Sequence, residues 1–282
     1  GRLRGPQLRD GRESDRNATL EIDLPVGSVR IVDLGYWEVA ALATLQHRGV
    51  YWFSRAHATT VIQTADGRWW SMLDLLAHQG PAALDLPVRV GRADKVPARL
   101  LAVPVPSDVA EVRRQRLIAE ARDAGETVSP VRLALARWAV YVTTIPPELL
   151  TVAEALLLGR ARWQIELLFK LWKSHGQIDL VRDVNPWRVL CELYGRLLSQ
   201  IVQHWLLLVS CWAEPARSLT KAAQTVRTHW ICVATAIHTT NALVAAITTL
   251  ARCIAAGCRM NLRKKKPNLF QHFLASTASC VG

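Results

Sequence analysis

A carboxylate flanked by two cations is the feature of this sequence with the clearest chemical potential. Arg162 stands four residues before Glu166, and Lys173 stands seven residues after it. On an α-helix, at 100° per residue, the three side chains lie within about 40° of one another. Such a carboxylate can ligate a divalent cation while its basic neighbours bind phosphates. The alternative is a surface stripe of ion pairs, because Arg162 and Glu166 also have the i,i+4 spacing of a helical salt bridge.

Asp33 is the second candidate carboxylate. It follows a predicted short strand at 29–32, and a helix and a second strand at 50–54 come after it. A strand–helix–strand unit predicts parallel strands, whose carboxyl ends are where catalytic groups gather. Two or three such carboxylates can hold a pair of Mg²⁺ ions about 4 Å apart for phosphodiester cleavage. The alternative is that Asp33 only forms the turn before Gly35.

The composition is that of a folded protein with a polyanionic partner. Half of the 282 residues are apolar and 21% are charged, which excludes disorder for the bulk of the chain. Lys and Arg exceed Asp and Glu by 35 to 23, and this net charge of +12 favours nucleic acid first and an anionic membrane second. The stretch 228–251 lacks charges, but its His, Asn and Thr residues favour a buried core helix, and we expect no membrane span.

The sequence pattern around these carboxylates changes along the chain from β-rich to helical. The stretch 57–145 carries short β-rich runs separated by prolines, together with one charged helix that begins at Ser107. After it the sequence predicts one long amphipathic helix over 151–174, with Thr151 and Glu154 in capping-box spacing. Apolar helices are predicted at 186–210 and 219–257.

These motifs resemble those of a known family. The spacing R-(3)-E-(6)-K of Arg162, Glu166 and Lys173 is similar to the signature Y-(2)-R-(3)-E-(6)-K of bacterial DDE-type insertion-sequence transposases, closest to the insertion-sequence-four family. The segment 33–37 resembles that family's second catalytic aspartate, D-x-G-(Y/F). The segments 50–55 and 138–146 resemble the strand that follows it and the strand that leads back from an insertion domain. The resemblance covers about residues 9–272.

The resemblance implies an α/β (α+β) fold. It implies a ribonuclease-H-like catalytic core, interrupted by a mostly β insertion domain and followed by C-terminal helices. We accordingly expect a partial core at 1–56, the insertion at 57–145, the completion of the core at 146–210 and a helical region with a basic segment at 211–282. The first strand or strands of the core are unmatched.

The resemblance also implies a chemistry and a set of site residues. It implies DNA cleavage and strand transfer that depend on Mg²⁺ (or Mn²⁺), by a homodimer acting on double-stranded DNA in the bacterial cytoplasm. Asp33 and Glu166 become the metal ligands. The residues expected to contact DNA are Arg162, Lys173, Arg55, Lys170, Trp138, Lys264, Lys265 and Lys266. For Trp138 the alternative is a place in the core, and for the three consecutive lysines it is a solvated charge run.

Two departures from the family pattern carry expectations of their own. The signature tyrosine falls at position 159, which is Gly159, and its loss is expected to weaken DNA binding. The first catalytic aspartate has no match, since Asp10, Asp15 and Asp23 stand in polar, turn-like contexts. We therefore expect an N-terminally truncated and catalytically inactive copy. The alternative function is that of a non-catalytic DNA-binding fragment that inhibits transposition.

Overall fold

The computed structural model describes residues 23–180, 183–211, 216–262 and 267–279, and in this part of the chain the predicted strand–helix–strand unit is present. Strand β1 (Val29–Val32) leads through a 3₁₀ turn to helix α1 (Val39–His47) and strand β2 (Tyr51–Arg55). The two strands are parallel, with Val32 opposite Ser54. The parallel pairing predicted from the sequence is confirmed.

The remaining strands extend the same sheet. Its order is β1-β2-β7-β6-β5-β3-β4, and every pair except β1–β2 is antiparallel. The strands added to β1 and β2 are β3 (Val61–Gln63), β4 (Trp69–Ser71), β5 (Leu84–Val90), β6 (Val96–Pro104) and β7 (Trp138–Thr143). The β-rich texture expected over 57–145 is therefore present, and its strands are hydrogen-bonded into the sheet that contains β1 and β2.

Three helices interrupt this β-rich stretch. The sequence predicts one of them, α3 (Ser107–Asp123), and misses α2 (Met72–Gln79) and α4 (Pro130–Leu135). Each missed helix begins at a serine whose hydroxyl accepts an amide of its first turn: Ser71 from Asp74, and Ser129 from Arg132. The missed helices span eight and six residues, too few for a clear 3.6-residue hydrophobic period.

Successive side chains along the strands point to opposite faces of the sheet, and both faces carry apolar side chains. One face carries Trp52, Leu100 and Val142, which pack with the buried leucines of α1 and α2. The other face carries Phe53 and Leu101, which pack against Ala155 after the chain has turned through Ile145 and Leu150. Both faces are covered, which makes the sheet a middle layer.

A buried arginine ties the second face to the chain that leaves the sheet. Arg99 on β6 is 9% exposed. Its Nε donates to Asp85 Oδ1 at 3.1 Å, and its Nη1 donates to the carbonyl oxygens of Ile145 at 2.7 Å and Leu150 at 3.1 Å. These bonds satisfy two buried carbonyls at the point where the chain passes from β7 to the next helix.

The long helix predicted over 151–174 is instead two helices. α5 spans Val152–Ala161 and α6 spans Trp163–Gly176, and the break falls at Arg162. There the Ile165 amide bonds to the Arg162 carbonyl three residues back, rather than to the carbonyl four residues back. The predicted capping box at the start of α5 is confirmed, since the Thr151 amide donates to Glu154 at 2.8 Å and the Glu154 amide donates to Thr151 at 3.3 Å.

The chain forms two compact units, one ending at Arg160 and the other beginning at Ala161. In the second unit Leu171 of α6 packs with buried residues of three further helices, among them Leu207, Val226 and Ile254. The helices that follow α6 are α7 (Pro186–Cys211), α8 (Leu219–Thr235), α9 (Thr240–Gly257) and α10 (Leu269–Ser279). The domain boundaries predicted from the sequence stay predictions.

The prediction of one buried core helix over 228–251 is wrong, because the stretch is not a single helix and most of its second half is exposed. The stretch is divided between α8, a 3₁₀ turn (Ala236–His238) and α9. Among the described helices α9 alone is long and apolar enough to cross a membrane, with a mean hydropathy of 1.3 over 18 residues, and 11% of that window is buried. Length and composition alone are a weak indication of a membrane span.

A tryptophan–histidine hydrogen bond holds α6 against α7. The Trp172 indole Nε1 donates to His204 Nε2 at 2.8 Å. Burial lowers the pKa of His204 below its ordinary value, which favours the neutral ring that this bond requires. The helix that carries Glu166 is thus fixed by the buried Leu171 and by a contact that needs an unprotonated histidine.

We predict that Arg99→Met lowers the free energy of unfolding by about 2–4 kcal/mol, because two buried carbonyls and Asp85 lose their donor. Urea unfolding of the full chain measures this change. The matched control is Arg89→Met, which removes an exposed arginine from the adjacent strand β5 and is expected to change stability by less than about 0.5 kcal/mol. Equal stability of the two variants would contradict an anchoring role for Arg99.

We also predict that acid weakens the attachment of α6. Because the folded-state pKa of His204 is lowered, its contribution to stability is complete above the unfolded value of about 6.5 and is lost as pH falls through the lowered folded value. The urea midpoint should therefore fall more steeply between pH 7 and pH 5 for the wild type than for His204→Gln. His238→Gln, at an exposed position in the same unit, is the control and should keep the wild-type slope.

Candidate active-site edge of the sheet

Asp33 lies at the carboxyl end of β1. Its half-buried side chain accepts the amide of Leu34 at 2.8 Å and caps the 3₁₀ turn Leu34–Tyr36. The turn-forming role considered from the sequence is therefore present. Because β1 and β2 are parallel and Val32 pairs with Ser54, the next residues, Asp33 and Arg55, follow at the same edge of the sheet.

Arg55 faces a tyrosine across the sheet. In the antiparallel pairing of β2 with β7, Arg55 lies opposite Tyr141, so the two side chains share one face. The Tyr141 ring stacks on Phe53, with centroids 4.9 Å apart and planes 26° apart. Arg55 is exposed and Tyr141 is half-buried. The Tyr141 phenol thus stacks on Phe53 on the face of the sheet that also carries Arg55, the residue for which the resemblance implies a DNA contact.

Gly159 lies directly against the Tyr141 ring. A Cβ atom at position 159 would collide with the Tyr141 hydroxyl and with the ring carbon that bears it. Glycine is therefore required at this crossing of α5 over β7, unless the ring moves. Position 159 is where the resemblance expects a tyrosine, and the phenol found there belongs to Tyr141 of the neighbouring strand.

Two further arginines lie around this phenol. Arg113 on α3 is half-buried, and its Nη1 donates to the carbonyl oxygen of Trp138 at 2.9 Å. The pKa of Arg113 is lowered first by burial and then by the positive charges of Arg55 and Arg160, while the Tyr141 hydroxyl acts in the opposite direction. In the described parts of the chain, none of these three arginines forms an ion pair with a carboxylate.

Sequence reasoning missed Tyr141, Arg113 and Arg160 as candidate site residues. Arg113 stands in a helix with three other arginines, and no spacing distinguishes it from them. Tyr141 stands in a strand whose alternation indicates packing. The only available signal was Gly159, whose departure from the tyrosine of the family signature marks the place where another phenol lies.

The signature helix presents the second candidate carboxylate. Arg162 Nη2 and Glu166 Oε1 form an ion pair of 3.1 Å, with side chains 20% and 40% exposed. The ion-pair alternative considered from the sequence is thus present. A partly exposed i,i+4 pair contributes only about 0.3–0.5 kcal/mol, so exchanging Arg162 for another cation at Glu166 costs little. Lys170 and Lys173 are exposed along the same helix.

The donor chemistry of Asp33 and Glu166 fits Mg²⁺, which prefers carboxylate oxygens and retains several waters. Asp33 belongs to the unit that ends at Arg160, and Glu166 belongs to the unit that begins at Ala161. Within the described residues there is no group of three or more His, Cys, Asp or Glu side chains that could hold a metal ion. The pairing of these two carboxylates on one metal stays a prediction.

Trp138 and the lysine cluster have different outcomes. Trp138 is 7% exposed and belongs to the main core of the sheet, as the core alternative predicts, so we do not assign its ring to a nucleotide base. Lys264, Lys265 and Lys266 lie outside the described residues.

Comparison with known proteins gives the family. The family described as "Transposase DDE domain" matches residues 3–201. The transposase for insertion sequence element IS231F of Bacillus thuringiensis subsp. israelensis is 25% identical over a 213-residue alignment that covers 68% of this chain and 45% of the relative. The transposase for insertion sequence element IS1151 of Clostridium perfringens is 22% identical over 200 residues, 64% of this chain and 42% of the relative.

A third relative has a higher identity over a shorter stretch of the chain. The putative transposase InsL for insertion sequence element IS186A of Escherichia coli (strain K12) is 33% identical over 103 residues, which are 36% of this chain and 28% of that protein. No solved structure matches the chain at a significant level. The chain spans less than half the length of the curated relatives it matches. Because the family match covers well over half of the chain and includes both candidate carboxylates, the chain belongs to the transposase DDE domain family.

Proposed function

We propose that this chain is the catalytic portion of an insertion-sequence transposase, an enzyme that cleaves DNA at the ends of its element and transfers the cut strand to a target, and that this copy by itself is inactive in cleavage. The observation that carries the proposal is the DDE-domain match over residues 3–201, within which Asp33 ends a parallel strand and Glu166 stands in the R-(3)-E-(6)-K spacing. That spacing supports a place in the insertion-sequence-four group. The bacterial cytoplasm is the expected compartment.

In this proposal Asp33 and Glu166 bind Mg²⁺ or Mn²⁺. The bound ion supplies Lewis-acid polarisation of a phosphodiester and a more reactive attacking oxygen. Asp33 contributes a carboxylate whose orientation is held by the Leu34 amide. Glu166 contributes one that forms a partly exposed ion pair with Arg162. Arg162 is proposed to contact a DNA phosphate beside the metal.

Basic side chains of the signature helix bind the DNA backbone in this proposal. Lys170 and Lys173 are exposed and stand four and seven residues after Glu166, which puts all three on neighbouring positions of one helical face. Arg55 serves the same purpose at the edge of the sheet, beside Asp33. The net charge of +12 supports a polyanionic partner, and a homodimer on double-stranded DNA is the expected assembly.

The second candidate function is DNA binding without cleavage. It is favoured by one observation: the resemblance matches two of the family's three catalytic carboxylates and leaves the first aspartate without a counterpart. A chain of this kind would occupy the ends of the element, or pair with a complete transposase and inhibit it.

We predict that Asp33→Asn and Glu166→Gln each lower the affinity for Mn²⁺ by at least about tenfold, because each removes a charged oxygen ligand. Isothermal titration of the full chain measures the change. Asp94→Asn and Glu148→Gln remove exposed carboxylates elsewhere in the sheet-containing unit and are the matched controls. Unchanged Mn²⁺ affinity in both site variants would contradict their role as metal ligands.

For the 282-residue chain by itself, we predict DNA binding without strand cleavage. Lys170→Gln and Lys173→Gln should each reduce the slope of log K against log salt by about 0.9, the value for one lost phosphate contact. A nicking assay on duplex carrying the ends of the element should show no product with Mg²⁺. A Mg²⁺-dependent nick that disappears in Glu166→Gln would contradict the non-catalytic alternative and establish cleavage by this chain.

A further inference from the structure

Three arginines stand on the elements that meet at one phenol near the edge of the sheet. Arg55 is the cross-strand neighbour of Tyr141. Arg113 reaches the same strand from α3, through its bond to the Trp138 carbonyl oxygen three residues before Tyr141. Arg160 follows Gly159, whose α-carbon lies against the Tyr141 hydroxyl. Elements distant in sequence therefore bring three arginines to the neighbourhood of one phenol.

Among the described residues, no carboxylate compensates the positive charges of Arg55, Arg113 and Arg160. The pKa of Arg113 is lowered by burial and further by the positive charges of Arg55 and Arg160, so Arg113 is repelled by both. No described carboxylate pairs with any of them, and no described residue forms a hydrogen bond with the Tyr141 hydroxyl. An incoming anion would relieve the repulsion, and its oxygen would accept a hydrogen bond from the phenol O–H.

The chemistry of the cluster selects among anions. Guanidinium groups suit phosphate oxygens because their paired N–H donors match that geometry, and a phenol adds one neutral donor. Arg55 and Arg160 are exposed while Arg113 and Tyr141 are half-buried, so the cluster is open on one side and admits a phosphate that is part of a longer chain. The cluster lies at the sheet edge that carries Asp33, next to Arg55 in the strand register.

We propose that Tyr141, with Arg55, Arg113 and Arg160, forms a binding site for one phosphodiester of the DNA backbone. The assignment to DNA rests on the proposed function, whereas the assignment to a phosphate rests on the cluster itself. Gly159 is a positioning residue of this site, because a side chain there would displace the Tyr141 ring.

The test uses the full chain and a fluorescent 24-base-pair duplex in EDTA, with binding followed by anisotropy at a series of salt concentrations. Arg160→Gln should lower the slope of log K against log salt by about 0.9, since one charged contact is lost. Tyr141→Phe should lower the affinity by about 5–10-fold with an unchanged slope, because a neutral hydrogen bond to a charged group is lost. The double variant should lose less than the sum of the two single losses, as expected for residues that share a ligand.

Matched controls separate the site from general effects of charge and packing. Arg116→Gln removes an exposed arginine from α3 that pairs with Glu120 at 2.6 Å. Tyr51→Phe removes a phenol hydroxyl four residues before Arg55 on β2, about 13 Å along the strand. Both should bind the duplex like the wild type. Gly159→Ala, which displaces the Tyr141 ring, should reproduce the affinity loss of Tyr141→Phe, and thermal melting verifies that each variant is folded.

Inorganic phosphate is the second probe. If phosphate raises the melting temperature of the wild type but not of Tyr141→Phe/Arg160→Gln, while both bind the duplex equally, the site takes a free anion and the assignment to DNA is overturned. If neither probe distinguishes wild type from variant, the phosphate site itself is overturned. Since binding is measured in EDTA, the Mn²⁺ affinities of Asp33→Asn and Glu166→Gln test the metal proposal separately.

Discussion

Strand β2 is the element on which the rest of the sheet-containing unit depends, because it pairs with β1 in parallel and with β7 in antiparallel orientation. The backbone and side chains around Trp52 join β2 to the end of β7: the Thr143 hydroxyl donates to the Trp52 carbonyl at 2.6 Å, and the Trp52 amide donates to Thr144 Oγ1 at 3.0 Å. A one-residue slip in this register would turn every side chain of β2 to the opposite face. The register therefore determines that Arg55 meets Tyr141 and follows the same edge as Asp33.

The sheet edge and the signature helix each carry charged side chains that could bind a ligand of opposite charge. At the edge, arginines gather around a phenol without a described carboxylate partner. On α6, Glu166 is neutralised by Arg162 through a partly exposed bond that costs little to exchange. Each arrangement is open to a charged ligand, an anion in the first case and a cation in the second. Both features lie within the residues that match the transposase DDE domain family.

Local rules predicted the elements whose signals lie within a few residues. The parallel pair β1–β2 follows from a strand–helix–strand pattern, and the capping box of Thr151 and Glu154 follows from their spacing. The helix break at Arg162 could not be predicted, because Arg162 keeps helical dihedral angles and only the hydrogen-bond ladder changes. Helix α9 is mostly exposed in the described structure although its composition suggests a core helix, since burial depends on neighbours that composition does not contain.

The sequence by itself determined the family and its two candidate carboxylates, because residue type and spacing along one helix or strand end are local properties. Asp33 before Gly35, and Arg162, Glu166 and Lys173 on one helical stripe, can be read without a fold. Only the tertiary structure decided that Tyr141 lies against Gly159 and opposite Arg55, and that Arg113 bonds to the strand that carries it. Those residues come from strands and helices that are not adjacent in the sequence. Their meeting is set by strand register and by the close approach that Gly159 permits, and neither leaves a periodic trace in the sequence.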